Sequence, residues 1–191
     1  DVGQDNSIAL WCDSPREDGT RAAGCLPAIS YSNSQSYDLM YAAWDGENWL
    51  YEWADGSGLG GDSSSLAFDS TGRPHISYTS LSNKQLRYVD WTGSSWVSAL
   101  ISESDEAGES NAIATDQALA PHIAYDGGDE DLLYTYWDGF TWQMETVDAT
   151  GDTGEHVSLV LDQDDYPVIA YYNDTTDNLM LARYYGEEGR Q

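Results

Sequence analysis

Three pairs of tryptophans are the residues of this sequence best suited to binding chemistry. The members of each pair are five positions apart and flank a short polar turn: Trp44 and Trp49, Trp91 and Trp96, Trp137 and Trp142. An indole ring is flat and apolar with one polar edge, so it can stack on a sugar ring. Two such rings facing each other across a hairpin also stabilise the hairpin itself. The pairs therefore indicate either a repeated sugar-binding platform or a repeated structural staple.

Acidic, glycine-containing loops form a second candidate site, for a hard cation. They cover 55–62, 104–109 and 148–155, and the candidate metal ligands in them are Asp55, Asp62, Asp148, Asp152 and Glu155. Carboxylate and backbone oxygens on tight turns suit Ca²⁺, although no loop has the spacing of an EF-hand. The alternative is that the loops are solvated turns of an acidic surface. Ca²⁺ is the only cofactor that the sequence suggests.

The two cysteines, Cys12 and Cys25, lie thirteen positions apart across a polar, turn-rich segment. This spacing predicts a disulfide that closes a hairpin, because no further Cys or His nearby completes a metal site. The alternative is a pair of reduced thiols. A disulfide places the protein in an oxidising compartment, so we expect it to be secreted, either extracellular or on a cell surface.

The elements that carry these residues recur with a period of about 47. Prolines stand at 27, 74, 121 and 167, at steps of 47, 47 and 46. Each proline is followed two positions later by isoleucine and four positions later by tyrosine. The first tryptophan of each pair keeps the same period, and Tyr184 takes its place in the last repeat. Such self-similarity is the signature of a tandem-repeat architecture.

Each repeat has the pattern of four short β-strands. In the second repeat the strands are predicted at 65–69, 75–79, 85–91 and 96–101, with turn residues between them. Four antiparallel strands in a repeat of this length are the unit of a β-propeller blade. We therefore expect an all-β propeller in one domain over residues 1–191, with repeats at about 7–53, 65–101, 111–147 and 158–185.

The fourth repeat differs from the others because it stops before its own fourth strand. The sequence thus predicts three full blades and three strands of a fourth. The third strand of that blade, Leu179 to Tyr184, is left as an edge with unpaired N–H and C=O groups. Such edges pair readily with other chains. We expect another copy of the protein, or a segment outside the printed sequence, to cover it.

Two histidines, His75 and His122, occupy one repeat position, where the other repeats have Ala28 and Val168. A position that accepts all three residue types is mainly a packing position. We find no carboxylate or serine repeated beside them at triad-like spacing, so acid–base or nucleophilic catalysis is not expected. The sequence therefore predicts that the protein is not an enzyme.

The repeat motif resembles that of a broad group of secreted bacterial tandem-repeat β-propellers. The best copies are 65–78, Ser-Leu-Ala-x-Asp-x-x-Gly-x-Pro-His-Ile-Ser-Tyr, and 137–142, Trp-Asp-Gly-x-x-Trp. The resemblance implies the fold and a secreted location, and says little about function. The second motif is also weakly similar to the Asp-box of sialidase propellers. Ala43 and Tyr136 stand where that box has serine, so sialidase activity is not implied.

Charge narrows the function further. The 34 acidic residues outnumber the 7 basic ones and give a net charge of −27. This excess repels phosphate backbones and anionic lipids, so nucleic acids and membrane surfaces are not expected as partners. Membrane insertion is not expected either, because the uninterrupted apolar runs are only a few residues long. By elimination, the leading hypothesis is a non-catalytic extracellular protein that acts in self-assembly or adhesion. The alternative is a carbohydrate-binding lectin that uses the tryptophan hairpins, with glycans as partners. A propeller polysaccharide lyase or glycosidase is a second alternative, although the arginines are too scattered to suggest its catalytic cluster.

Overall fold

The protein is built from β-strands arranged in four antiparallel sheets. The computed structural model describes residues 2–12, 24–57, 60–80, 84–102, 104 and 107–186. All regular secondary structure in these ranges is β-strand. In the same ranges, no helix has the length and apolar character needed to cross a membrane.

The four sheets follow one another along the chain, and within each sheet neighbouring strands are consecutive in sequence. Sheet 1 contains β1 Val2–Cys12, β2 Cys25–Asn33, β3 Asp38–Trp44 and β4 Trp49–Asp55. Sheet 2 contains β5 Gly60–Phe68, β6 Pro74–Ser80, β7 Leu86–Trp91 and β8 Trp96–Leu100. Sheet 3 contains β9 Asn111–Thr115, β10 Pro121–Asp126, β11 Leu132–Trp137 and β12 Trp142–Asp148. Sheet 4 contains β13 Thr153–Leu161, β14 Pro167–Asn173 and β15 Asn178–Arg183.

The first strands of sheets 1, 2 and 4 begin earlier than the sequence pattern indicates, because they contain bulges. In sheet 2 the pattern predicts a strand from residue 65, whereas β5 begins at Gly60 and its pairing register shifts twice before Ser65. The bulge places Ser63 at a φ of 47°. Asp5 in β1 and His156 in β13 have the same left-handed backbone, with φ of 47° and 52°. A bulge of this kind interrupts the regular alternation of side chains, which hides the extra strand residues from a periodicity search.

Sheets are joined through their first strands, which pack on each other in the order β1, β5, β9 and β13. Serine hydroxyls bridge the junctions: Ser7 Oγ accepts from the Leu66 N–H at 3.1 Å, and Ser65 Oγ accepts from the Ile113 N–H at 3.2 Å. These bonds satisfy backbone groups at the centre of the stack. Successive sheets are therefore joined by hydrogen bonds between equivalent residues of their first strands.

The hydrophobic core lies between the sheets as three separate clusters. At the first junction, Ile76 and Tyr78 of sheet 2 are fully buried against Ala28, Leu39 and Tyr41 of sheet 1. The second and third junctions repeat this arrangement. Large side chains from one sheet thus fill the space left by small ones on its neighbour, as close packing requires. The predicted all-β propeller fold is confirmed.

Sheet 4 has three strands within the described residues, as predicted, and β15 lies at its outer edge. In the other three sheets a fourth strand occupies that side. Covering of the β15 edge by another polypeptide stays a prediction.

The predicted disulfide is present. Cys12 and Cys25 are register partners at the ends of β1 and β2, and their sulfurs are bonded. The segment 13–23 that the disulfide closes lies outside the described residues. The bond therefore ties the innermost strand of sheet 1 to the strand beside it.

Candidate functional site

The tryptophan pairs form cross-strand staples. The two members of each pair are register partners on either side of the turn between the third and fourth strands. Their ring centroids lie 5.7 Å apart for Trp44 and Trp49, 5.5 Å for Trp91 and Trp96, and 5.7 Å for Trp137 and Trp142. Aromatic pairs at this distance stabilise a hairpin. The structure thus brings each predicted pair together.

In sheets 2 and 3 the second tryptophan of the pair also packs on the preceding sheet. The Trp96 ring meets the edge of Tyr41 of sheet 1 at 5.1 Å, and Trp142 meets Tyr88 of sheet 2 at 5.1 Å. Trp96 Nε1 donates a hydrogen bond to Glu52 Oε2 of sheet 1 at 2.8 Å. These two rings therefore hold neighbouring sheets together.

A cavity of about 590 Å³ lies between sheets 3 and 4, where no such tryptophan is present in the described part of sheet 4. Tyr134 and Glu145, which are register partners in sheet 3, form part of its wall. Their equivalents in sheet 1 are Tyr41 and Glu52, which hold the Trp96 ring. The cavity is therefore the space that a tryptophan fills at the first junction.

Aromatic rings and carboxylates surround this cavity. Tyr136 of sheet 3 stacks beside His122, with centroids 5.7 Å apart and planes inclined by 18°. On the sheet 4 side, Tyr166 and Tyr184 form a tilted pair at 5.3 Å. Flat apolar surface with a few polar groups is typical of a small-molecule binding site. Tyrosine rings can pack on the C–H face of a sugar, and Glu145 can accept hydrogen bonds from its hydroxyls.

Hydrogen-bonded chains of Asp, His and Tyr lie behind the aromatic walls of sheets 2 and 3. His75 is bonded through Nδ1 to the Tyr88 hydroxyl at 2.5 Å and through Nε2 to Asp69 at 3.4 Å. His122 makes the same bonds, to the Tyr134 hydroxyl and, at 3.3 Å, to Asp116.

The expectation that these histidines have no repeated carboxylate partner is therefore wrong. The carboxylate stands six residues before each histidine, on the turn between the first and second strands. The hairpin formed by these two strands brings the carboxylate and the imidazole within hydrogen-bond distance. Burial raises the pKa of Tyr88 and of Tyr134, so both hydroxyls stay protonated. In sheet 2 the Tyr88 ring packs against Trp142. The hydrogen-bonded chain of Asp69, His75 and Tyr88 therefore orients side chains in the core.

Two carboxylates of the acidic loops make hydrogen bonds to a neighbouring sheet. In the described part of the chain, no group of three or more His, Cys, Asp or Glu side chains could hold a metal ion. Asp55 accepts a hydrogen bond from the Tyr78 hydroxyl, and Asp148 accepts one from the Tyr171 hydroxyl at 2.7 Å. These two carboxylates therefore tie a loop to the sheet that follows it.

The other three predicted metal ligands lie among carboxylates that repel each other. Burial, together with Asp5 and Glu109, raises the pKa of Asp62. Asp152 and Glu155 contribute in the same way to the raised pKa of Asp126, whose largest cause is burial. Binding of Ca²⁺ at these loops stays a prediction.

Comparison with known proteins identifies the fold. No protein-family model and no curated protein matches the chain. Among solved structures, a mutant of the Aleuria aurantia lectin in complex with α-methyl-L-fucoside is similar with a TM-score of 0.67 and 15% identity, over 98% of this chain and 60% of the lectin. The SapL1 lectin in complex with α-methyl fucoside gives a TM-score of 0.67 and 13% identity, over 97% of this chain and 63% of the lectin.

An enzyme shares the fold more distantly. The intramolecular trans-sialidase from Ruminococcus gnavus has a TM-score of 0.54 and 15% identity, over 94% of this chain and 43% of the enzyme. The chain thus spans about 60% of the length of the Aleuria lectin and less of the enzyme. At these identities the likeness concerns the fold alone, which is the β-propeller that the repeat predicts.

Proposed function

We propose that this protein is a non-catalytic carbohydrate-binding β-propeller and that a neutral sugar binds in the cavity between sheets 3 and 4. The observation that carries the proposal is the cavity itself, which Tyr136, Tyr166 and Tyr184 line together with a carboxylate, Glu145. Structures of two lectins with bound methyl fucosides share the fold, which supports this alternative over self-assembly or adhesion as the primary activity.

The occupant of the equivalent space at the first junction indicates what the cavity can bind. There, Tyr41 and Glu52 hold an indole, which is a flat apolar body with one hydrogen-bond donor. Tyr134 and Glu145 present the same ring and carboxylate to an empty volume. A pyranose ring has the matching features, because it combines an apolar C–H face with hydroxyl donors. It can also pack against the tyrosine rings on the sheet 4 side.

Charge selects among sugars. The net charge of −27 repels sialylated or sulfated glycans. At the cavity, Glu145 and Asp165 outnumber the one arginine of the lining, Arg183, which is paired with Asp162 at 3.0 Å. A carboxylate binds a neutral sugar by accepting from its hydroxyls. The fucosides bound by the similar lectins are neutral sugars of this class. The disulfide further supports a secreted protein that meets glycans outside the cell.

The test is a glycan array followed by titration with methyl α-L-fucoside and other neutral methyl glycosides. In the Glu145→Gln variant the shape of the cavity is kept and the charged acceptor is lost, so we expect binding about tenfold weaker. Asp129→Asn is a matched control, because Asp129 is exposed on a loop of the same sheet. Its affinity should equal that of the wild type.

Two outcomes would contradict the proposal. One is an array on which no neutral glycan binds. The other is equal affinity of the Glu145→Gln variant and the wild type. The first outcome is expected if the cavity binds a β-strand of another polypeptide instead of a sugar, with a tryptophan that contacts Tyr134 and Glu145 as Trp96 contacts Tyr41 and Glu52.

The tryptophan hairpins can be tested separately as the alternative binding platform. Trp91 lies in the hairpin of sheet 2 and does not line the cavity. Trp91→Ala should leave glycan affinity unchanged if the cavity is the site. A loss of binding in this variant would move the site to the hairpins.

A further inference from the structure

The outer face of sheet 4 exposes apolar side chains that are buried in every other sheet. Leu179 is 80% exposed, whereas the residues at the same repeat position, Leu39, Leu86 and Leu132, are 0% exposed. Leu181 on the same face is 68% exposed, whereas Tyr41, Tyr88 and Tyr134 at its repeat position are at most 8% exposed. Exposed large apolar surface of this kind marks an interaction site.

The opposite end of the stack has the same feature on the other side of sheet 1. Ile8 is 65% exposed, whereas the equivalent residues Leu66, Ile113 and Leu159 are 6%, 7% and 7% exposed. Leu10, two residues further along β1 and therefore on the same face, is 60% exposed. The two bare faces do not cover each other within one chain, since both remain open to solvent.

These two faces are the two halves of an inter-sheet junction. At each junction inside the molecule, the face that corresponds to Leu179 packs on the face that corresponds to Ile8. Leu39 clusters with Leu66, Leu86 with Ile113, and Leu132 with Leu159. The repeat therefore shows what fits the bare face of sheet 4: a sheet with the side chains of sheet 1.

We propose that a second copy of this chain packs its sheet 1 on sheet 4 of the first copy, head to tail. Leu179 and Leu181 then meet Ile8 and Leu10 as their equivalents meet inside the molecule. Ser158 stands at the repeat position of Ser7 and Ser65, whose hydroxyls accept N–H groups from the next sheet. In the assembly Ser158 therefore accepts from the Ile8 N–H of the second copy.

Such a contact uses different surfaces on the two partners. It forms a ring when the rotation between copies closes, and a filament when it does not. The association is independent of sugar binding, because it uses the end faces and not the cavity between sheets 3 and 4. Two chains that each carry a charge of −27 repel each other, and this repulsion weakens the association. Salt screens the repulsion, so the association should become stronger as salt is added.

The test is sedimentation velocity of the 191-residue protein over a range of concentrations at moderate and high salt. The wild type should form dimers or larger species. Leu181→Glu and Ile8→Glu each place a charge in the contact, so each should weaken association by on the order of 100-fold. Phe140→Glu is the control, because Phe140 is 87% exposed in the hairpin of sheet 3 and lies on neither end face.

Mixing the two variants distinguishes a head-to-tail contact from any other. The Leu181→Glu copy keeps an intact sheet 1 face, and the Ile8→Glu copy keeps an intact sheet 4 face. An equimolar mixture should therefore form heterodimers and nothing larger. A wild type that stays monomeric at every concentration and salt, or a mixture that fails to form heterodimers while the wild type associates, would overturn the proposal.

Discussion

One position of the repeat shows how the same backbone site takes different roles through its neighbours. His75 and His122 each link a tyrosine of the third strand to an aspartate on the preceding turn. In sheet 1 the position is Ala28, which is buried in the junction with sheet 2. The position is thus a packing site, as the sequence indicates, and in sheets 2 and 3 it also carries a polar network.

Stability should depend on pH through His75. Burial lowers the pKa of His75 below its ordinary 6.5, and the neighbouring Asp69 and Asp90 offset this only in part. The unfolded chain therefore takes up the proton first as the pH falls. Stability that is complete above pH 6.5 is lost between that value and the lower pKa of the folded state.

Thermal unfolding between about pH 7.5 and about pH 5.5 measures this effect. The wild-type Tm should fall across the range. The His75→Ala variant, which has the residue found at the same position in sheet 1, should show a flatter dependence. The interpretation fails if the two proteins have the same slope.

The hairpin between the third and fourth strands of a sheet carries the Trp-Asp-Gly-x-x-Trp motif, which also resembles the sialidase Asp-box. The aspartate of the Trp-Asp-Gly-x-x-Trp motif caps the turn: Asp45 Oδ1 accepts from the N–H groups of Glu47 and Asn48 at 2.8 and 2.7 Å. These backbone hydrogen bonds lower the pKa of Asp45. Thr92 takes the same position in sheet 2 and accepts from the Ser95 N–H at 3.2 Å. The aspartate of the motif therefore has a structural role in the turn.

The β1–β2 hairpin depends on its disulfide. Closing a loop of about 14 residues stabilises the folded state by about 3 kcal/mol, because it restricts the unfolded chain. Urea unfolding with and without reductant should show a loss of this size, and the Cys12→Ala/Cys25→Ala variant should match the reduced protein. Alkylation of two thiols in native, unreduced protein would contradict the prediction.

At the scale of the whole molecule, charge opposes the packing of the sheets. The chain carries 34 acidic side chains and 7 basic ones. Some are close enough to interact directly, as at Asp126, whose pKa is raised by burial and by Asp152, Glu109 and Glu155. The serine hydroxyls and apolar clusters between sheets hold the stack together against this repulsion.

Added salt should therefore raise the Tm. The screening length falls from about 10 Å at 0.1 M to about 3 Å at 1 M, which removes most of the repulsion between separated surface charges. Calorimetry in NaCl over this range measures the shift, and an uncharged osmolyte at equal osmolality serves as the control. A Tm that stays constant or falls as NaCl increases would show that repulsion does not limit stability.

Much of the fold could be predicted because it is encoded locally. The period of the prolines, the alternation in 75–79 and the turn residues around Gly93 specify strands, their order and the number of sheets. The bond between Cys12 and Cys25 follows from their spacing of thirteen positions in the sequence. For the candidate site, the sequence singles out the tryptophan pairs, which the structure brings together, and their role in binding stays a prediction. The cavity could not be predicted, because its wall combines Tyr134 and Glu145 with residues of the following sheet.

The sequence by itself determined the repeat, the four-stranded unit and the disulfide, since each depends on residues close together in the chain. The tertiary structure alone decided which residues meet across the junctions. Tyr134 and Glu145 line an open cavity, whereas Tyr41 and Glu52 hold a tryptophan, although the two pairs have the same sequence spacing. The difference arises because the neighbouring sheet, about 47 residues further along the chain, determines what fills the space between them.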